Sequence, residues 1–363
     1  MSLISAARVR RFAILSVLAA PLILASIGLR ASEIERFIAI DNVCAWPNLT
    51  LFGDGTLVAA IFNKPSHGRH EGDVETWASV DGGKMWTLRG VAAPHESGTT
   101  RMNVAAGLAH DGSLVVLSSG WGGANLRGKI LELWVCRSSD GGRTWQRSTS
   151  VRLPSGVEYL IPFGDVIRGP GNTLAAPFYY ETRDWSNPPQ RGARRYGTSY
   201  LLFSRDDGRT WGDAVVIGAS DYNETSVLRL RPDRWLAAAR THADGHLDLF
   251  VSADEGKSWT RSGLLTLPSH HPAHLLRLAD GRILLTYGIR ERGHQGIGIR
   301  VSDDEGTTWK APTRLVNLPE TSDGGYPATV QLADGTLVTA YYSNGIPQHR
   351  RYHMGVVRWS PPD

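Results

Sequence analysis

Two cysteines, Cys44 and Cys136, are all that the 363-residue sequence contains. They allow one disulfide at most, but we expect two buried thiols, and neither arrangement predicts a metal site. The sequence also lacks basic runs and alternating basic and aromatic residues, which argues against a nucleic-acid partner. Helical periodicity is weak throughout, so a helical fold is not indicated.

The sequence has a small excess of positive charge, and most of it comes from the first 28 residues. Arg8, Arg10 and Arg11 precede an apolar run from Phe12 to Leu29, an order typical of a secretory signal peptide. An uncleaved membrane anchor is the alternative, because the run is long enough. Without these three arginines, 36 of the 39 basic residues remain against 35 acidic residues. We expect residues 1–28 to be a leader and the mature protein to be secreted or periplasmic, with no membrane contact beyond the leader.

Glycine, proline and tryptophan are plentiful, with 40, 19 and 12 residues, and they favour short strands joined by tight turns. Five octads share the pattern Ser-x-Asp-x-Gly-x-x-Trp: SVDGGKMW from Ser79, SSDGGRTW from Ser138, SRDDGRTW from Ser204, SADEGKSW from Ser252 and SDDEGTTW from Ser302. In such a turn, Asp and Ser bind backbone amides, Gly adopts a positive φ angle and Trp buries its ring. Because the octad recurs, we interpret it as part of the frame and not as a unique site.

Each octad connects the third and fourth strands of a repeated unit. In the first unit, the segments AWPNLTLF, TLVAAIF and DVETWASV precede the octad and TLRGV follows it. A sixth unit, YPATVQLADGTLVTAYY with HMGVVRW, lacks an octad, and the N-terminal segment IERFIAI can supply its outer strand. Six four-stranded antiparallel sheets around one axis predict an all-β fold, a six-bladed β-propeller over residues 33–363.

The octads resemble the Asp-boxes of the sialidase (neuraminidase) superfamily, and the blade layout resembles that family over nearly the whole mature chain. Asp-boxes also occur in propellers that are not enzymes, so they indicate the fold better than the function. The resemblance implies a glycoside hydrolase that acts on the terminal sugar of a glycan, with its site at the axial mouth. It implies no metal or organic cofactor, and we expect a monomer.

Three residues match sialidase positions that carry the chemistry. Glu224 and Arg240 stand at the two ends of an apolar hairpin in the fourth unit, as do a Glu and a substrate-binding Arg in the matching sialidase blade. Tyr326, in the sixth unit, occupies the position of the sialidase nucleophile. A phenol has an ordinary pKa of about 10, so it needs a carboxylate to accept its proton, and Glu224 is the candidate.

Sialidases hold their acid/base aspartate in a first-unit loop, which in this chain has the sequence NKPSHGRHEGDVETW. The loop contains the ionisable residues His67, Arg69, His70, Glu71, Asp73 and Glu75. If Asp73 and Glu75 begin the third strand, they are solvated residues of its face. This leaves His70 or Glu71 as the predicted proton donor, with Arg69 as a candidate for binding the substrate.

A second arginine site is predicted in the fifth unit. Arg290 has the same offset from its octad as Arg240, and Arg292 lies just beyond it. Either residue resembles a second member of the arginine cluster with which sialidases bind a carboxylate.

One family signature is missing. Sialidases open the first blade with Arg-Ile-Pro, whereas this chain has Ala45, Trp46, Pro47 and Asn48. We expect Trp46 to stack on a sugar and Asn48 to contact it, and we expect sialic acid to be bound poorly. Further candidates for the mouth are Trp185, Tyr179, Tyr180, His271 and His274, of which His274 is the predicted substrate contact.

Two other functions are compatible with the sequence. A propeller polysaccharide lyase would use His and Tyr for proton transfer beside a uronate held by Arg, and the His-rich first and fifth units suit it. A carbohydrate-binding module would hold the sugar without cleaving it. A new reducing end, an unsaturated uronate or retention without turnover would distinguish hydrolase, lyase and binding module.

Overall fold

The computed structural model describes residues 34–182 and 196–362, which form six sheets with four main strands each. The sheets follow one another along the chain as six antiparallel blades, so the predicted six-bladed propeller is confirmed. The proposed leader at residues 1–28 lies outside the described residues. Within the described ranges, no helix is long and apolar enough to cross a membrane.

The strands of the first three blades follow one another from the inner to the outer edge. Blade 1 contains Cys44–Leu51, Leu57–Phe62, Val74–Ser79 and Thr87–Ala93. Blade 2 contains Thr99–Leu108, Leu114–Gly122, Trp134–Ser138 and Gln146–Ser148, with the short strand Lys129–Ile130 and the 3-10 turn Ala124–Leu126 beside them. Blade 3 has two short inner strands, Ile161–Pro162 and Ile167–Arg168, followed by Leu174–Thr182, Tyr196–Ser204 and Gly212–Gly218. Between the two short strands, Gly164–Asp165 pairs in parallel with Thr99–Leu108 of blade 2.

The remaining blades have continuous strands. Blade 4 contains Tyr222–Arg231, Arg234–Thr241, Leu247–Ser252 and Thr260–Leu264. Blade 5 contains His270–Arg277, Ile283–Ile289, Gly296–Ser302 and Thr313–Asn317. Blade 6 contains Gly324–Gln331, Leu337–Ser343 and His353–Trp359, and its outer strand is Glu35–Asp41 from the N-terminal end of the propeller.

The two ends of the propeller share blade 6, as the sequence predicts. Glu35–Asp41 pairs antiparallel with His353–Trp359, and Phe37 is opposite Val356. This pairing gives the last blade a fourth strand and leaves no wide gap in the ring of sheets.

Most inner strands begin with a break in their pairing. The register with the second strand shifts between Cys44 and Asn48, Arg101 and Asn103, Tyr222 and Thr225, His270 and Ala273, and Gly325 and Ala328. Such bulges change the direction in which side chains project. Three residues from these stretches, Trp46, Met102 and Tyr326, share one buried cluster, so the bulges bring side chains of blades 1, 2 and 6 together at one place.

The octads form the predicted turns, and blade 1 shows the common geometry. The Ser79 hydroxyl donates to the Asp81 carboxylate at 2.7 Å and accepts from the Gly83 amide at 2.8 Å. The Trp86 ring nitrogen donates to the Gly83 carbonyl at 3.0 Å. Gly83 has a φ angle of 91°, and a Cβ atom there would lie 2.9 Å from Val338 of blade 6. The octad therefore needs glycine both for its turn and for its contact with the neighbouring blade.

We predict that Trp211→Ala lowers the free energy of unfolding by about 3 to 5 kcal/mol, because a large buried ring is lost. Trp211 is 3% exposed and packs in the core shared by blades 2 and 3. Urea unfolding measures the change, and Met85→Ala is the control because Met85 is an octad residue that is 73% exposed. If Trp211→Ala kept the wild-type free energy of unfolding but lost glycan binding, the octad would not be purely structural.

Acid should weaken the octad turns. Hydrogen bonds from Thr308 and Ser302 lower the pKa of Asp304 to about 2, and those from Thr144 and Ser138 lower the pKa of Asp140. A carboxyl group with a lowered pKa stabilises the fold above its ordinary pKa, and this stabilisation is lost as the pH falls through the folded-state value. Between about pH 4 and pH 2, the combined variant Asp140→Asn/Asp304→Asn should lose less unfolding free energy than the wild type. Equal acid sensitivity in urea titrations at these pH values would contradict this origin.

Candidate active site

Tyr326, Glu224 and Arg240 meet where the inner strands of blades 4 and 6 begin. The Tyr326 hydroxyl donates to Glu224 Oε1 at 2.7 Å, and Arg240 Nη1 donates to Glu224 Oε2 at 2.5 Å and to the Tyr326 oxygen at 3.3 Å. Tyr326 and Glu224 are 5% and 4% exposed. The structure thus brings together the three residues that the sequence assigns to the nucleophile, its base and a substrate arginine.

The surroundings keep Tyr326 protonated at neutral pH. Burial raises the pKa of Tyr326 above its ordinary value, and the Glu224 charge raises it further, while Arg240 and Arg290 act in the opposite direction. The phenol can therefore attack an electrophile only if its proton leaves in the same step. Glu224 is already in hydrogen-bond contact with that proton.

Asp323 forms a second centre beside Tyr326. Its Oδ1 accepts from Tyr342 at 2.7 Å and from Arg290 at 3.1 Å, and its Oδ2 accepts from Tyr352 at 2.8 Å and from His67 Nδ1 at 3.0 Å. Burial would raise the pKa of Asp323, but these hydrogen bonds and the charges of His67 and Arg290 hold it below its usual range. Asp323 is therefore an ionised hub that links blades 1, 5 and 6.

Arg290 bridges the two centres. Its Nη1 donates to the Gly324 carbonyl at 2.5 Å, and its guanidinium carbon lies 5.5 Å from the centre of the Tyr326 ring. Arg292, the alternative predicted from sequence, lies in the exposed turn that follows, and no hydrogen bond or ion pair of its side chain occurs within the described residues. Of the two, Arg290 is the arginine that joins the cluster.

Trp46 forms part of the wall of the site. Its ring lies 5.5 Å from the Tyr326 ring, 5.3 Å from the His67 ring and 6.0 Å from the Trp121 ring, measured between centroids. Trp46 is only 8% exposed, so packing occupies most of the face that the sequence assigns to sugar stacking. Trp46 and Tyr326 have φ angles of 53° and 55°, a strained conformation that is concentrated at functional sites.

The first-blade loop places its ionisable residues differently. His67 faces Asp323, whereas His70 and Arg69 are exposed and neither side chain is hydrogen-bonded within the described segments. Glu71 is 47% exposed at its side chain and lies 3.6 Å from His95 Nε2. The structure therefore does not bring the predicted donors His70 and Glu71 to Tyr326 in the way that it brings His67.

Asp73 precedes the third strand of blade 1 and is half-buried. Its carboxylate accepts from the backbone amide of His95 at 2.8 Å and contacts His95 Nδ1 at 2.6 Å. It therefore fixes a loop and is not a solvated residue of the strand face.

Asn48 and His274 belong to a separate polar cluster. Asn48 Nδ2 donates to Asp165 Oδ1 at 2.9 Å, and His274 Nε2 lies 3.0 Å from Asp165 Oδ2. Both residues are buried, and within the described residues no hydrogen bond joins this cluster to the Tyr326–Glu224 pair. These two predicted substrate contacts instead tie the inner strands of blades 1 and 5 to Asp165, which lies between blades 2 and 3.

A family model described as a BNR repeat-like domain matches residues 55–339, which is most of the chain. The chain belongs to the BNR repeat-like domain family. No curated protein sequence matches it significantly.

Solved structures share the fold of this BNR repeat-like protein. A protein of unknown function from Dyadobacter fermentans is 23% identical, with a TM-score of 0.72 and coverage of 91% of this chain and 99% of that one. The Hadza microbial sialidase Hz136 is 20% identical, with a TM-score of 0.65 and coverage of 86% and 64%. An α-L-arabinanase from Penicillium chrysogenum is 16% identical, with a TM-score of 0.59 and coverage of 86% and 92%. At these identities the likeness shows the fold alone.

The site also contains Asp323 and Tyr342, which the sequence does not single out, and Tyr179, which the sequence predicts as a residue of the mouth. Asp323 reads as an ordinary turn residue, and Tyr342 as a strand residue. Tyr179 is buried beside Glu224, and burial together with the charges of Glu224 and Glu181 raises its pKa. A proline follows both Trp46 and Tyr326, and both residues lie in a bulge of an inner strand. This shared pattern could have indicated from the sequence that the two blades bend in the same way there. Trp185 lies outside the described residues.

The chemistry available at the site is proton transfer and nucleophilic attack. Within residues 34–182 and 196–362, no group of three His, Cys, Asp or Glu side chains is arranged to hold a metal ion. The site presents a protonated phenol with a carboxylate acceptor, two arginines and a His–Asp pair.

Proposed function

We propose that the protein is a glycoside hydrolase that releases a terminal sugar from a glycan. The observation that carries this proposal is the 2.7 Å hydrogen bond between the buried Tyr326 hydroxyl and Glu224. A tyrosine nucleophile with a carboxylate base is the known sialidase exception to the usual two-carboxylate scheme. The fold shared with a sialidase and an arabinanase supports a glycan substrate. With the predicted leader, the enzyme would act outside the cytoplasm.

In the proposed first step, the Tyr326 oxygen attacks the anomeric carbon while Glu224 accepts the phenol proton. The bond to the leaving oxygen breaks, and that oxygen takes a proton from a donor on the opposite side of the sugar. Arg240 contacts both Glu224 and the Tyr326 oxygen, so it can stabilise the negative charge as this charge moves from Glu224 to the Tyr326 oxygen. Water then attacks the glycosyl-tyrosine, and Glu224 returns its proton to Tyr326.

The charges at the mouth favour a sugar without a carboxylate at its anomeric end. Arg240 is paired with Glu224, and Arg290 is paired with Asp323. A substrate carboxylate would have to compete with these carboxylates of the protein. The first-blade arginine of sialidases is also missing, because Ala45 and Trp46 occupy that stretch.

We predict that Tyr326→Phe and Glu224→Gln each lower kcat/KM by at least about a hundredfold, because each removes one partner of the proton transfer. The double variant should lose little more than either single variant, since residues that act as a unit are not additive. Release of reducing sugar from a glycan panel measures turnover. Near-normal activity of either folded single variant would remove the pair from the mechanism, and unsaturated uronate absorbance would indicate a lyase.

Sialic acid should be a poor substrate. One charged hydrogen bond contributes about 1.5 to 3 kcal/mol, so its loss corresponds to a roughly 10- to 150-fold weaker recognition of the carboxylate. We expect kcat/KM on 3′-sialyllactose to be lower than on the best substrate among rhamnose-, arabinose- and uronate-capped oligosaccharides. Sialic-acid release above about 10⁴ M⁻¹s⁻¹, the low end for ordinary enzymes, would show that another group replaces the arginine.

A further inference from the structure

The proposed reaction needs a proton donor, and the geometry points to His67. We infer that His67 is the general acid of the first step and the general base of the second, and that Asp323 positions it. This inference rests on the proposed function. It differs from the sequence-based assignment, which selects His70 or Glu71 from the same loop.

The contact with Asp323 determines the proton positions on His67. An ionised carboxylate only accepts hydrogen bonds, so His67 Nδ1, at 3.0 Å from Asp323 Oδ2, must carry a proton. The other ring nitrogen, Nε2, then gains and loses the second proton. Within the described residues Nε2 has no hydrogen-bond partner, and it is not fully buried. It therefore remains free to exchange a proton. A carboxylate that orients an imidazole and stabilises its charged form is a recurrent catalytic device.

His67 also lies close to the nucleophile. Its ring packs against Trp46 at 5.3 Å and against Tyr342 at 6.4 Å, and the Tyr326 ring packs against the same two residues at 5.5 and 5.7 Å. The His67 side chain is 31% exposed, whereas Tyr326 is almost fully buried. The acid is therefore on the solvent side of the site, where the leaving part of a glycan would project.

The loop holds His67 in place from its backbone as well. Arg127 donates to the His67 carbonyl at 2.5 Å. The next residue, Gly68, has a φ angle of 64°, and a Cβ atom there would lie 2.6 Å from both Met102 and Trp121. Such close packing fixes the loop against blade 2, which is the preorganisation that a proton donor requires. His70 and Glu71 have more exposed positions.

The proton transfers balance over the two steps. In the first step, His67 Nε2–H protonates the leaving oxygen as its bond to the anomeric carbon breaks, and the electron pair of that bond stays on the oxygen. Tyr326 forms the new bond, and its proton moves to Glu224. In the second step, water gives a proton to neutral His67 and forms a bond to the anomeric carbon. The tyrosyl–sugar bond breaks, and Glu224 returns the proton to Tyr326.

The leaving group provides the test. The substrates are paired methyl and 4-nitrophenyl glycosides of α-N-acetylneuraminic acid, β-D-glucuronic acid, α-L-rhamnose and α-L-arabinofuranose. 4-Nitrophenolate is a stable leaving group that needs little help from an acid, whereas methanol must receive a proton as its bond to the sugar breaks. We expect His67→Gln to lower kcat/KM at least about a hundredfold on methyl glycosides and less than about tenfold on 4-nitrophenyl glycosides. Asp323→Asn should show the same selectivity to a smaller extent, which a merely structural role would not produce.

The controls separate the possible failures. His110→Gln changes an exposed histidine in a turn of blade 2, away from the cluster, and should leave both rates unchanged. Tyr326→Phe should lower both rates alike. An equal loss on both substrates in folded His67→Gln, or a leaving-group-selective loss in His70→Gln or Glu71→Gln, would overturn the assignment to His67 alone. If the wild type releases none of the four sugars from either glycoside, the proposed function fails together with this inference.

Discussion

The hydrogen bond between Tyr326 and Glu224 depends on the whole propeller. The two residues are 102 positions apart in sequence and lie in blades 6 and 4. They meet because the inner strands begin on the same face of the propeller and because Glu35–Asp41 completes blade 6. The octads, which pack each blade on its neighbour, therefore support the site without contributing a side chain to it.

Local strain at the start of the inner strands completes the arrangement. A regular strand would alternate its side chains between the two faces of the blade, and a bulge changes that direction. At Trp46 and Tyr326 the bulge requires positive φ angles that these bulky residues rarely adopt. The surrounding aromatic cluster offsets this cost by burying both rings. The same packing explains why Trp46 closes the wall and does not present a free stacking face.

The sequence allowed the fold to be predicted because its signals are local and repeated. Octads, hairpins and a spare N-terminal strand define six blades without any knowledge of their packing. Tyr326, Glu224 and Arg240 followed from a family resemblance at matching positions. The role of Asp323 and the choice between His67 and His70 did not follow, because both depend on how a loop of blade 1 packs against blades 2 and 6. Periodicity carries no information about such contacts.

The pairing of charges is what distinguishes this mouth from an open cluster of cations. Arg240 and Arg290 are each held by a carboxylate, and Asp323 also binds His67 and two tyrosines. These bonds pair the buried charges before any ligand arrives, so the site needs little reorganisation for the proposed proton transfers. The same bonds reduce the attraction for an anion, because a ligand carboxylate would have to break an existing pair and leave a protein carboxylate unpaired. In the proposed mechanism, preorganisation for proton transfer and the expected weak selection for a carboxylate thus have one physical cause.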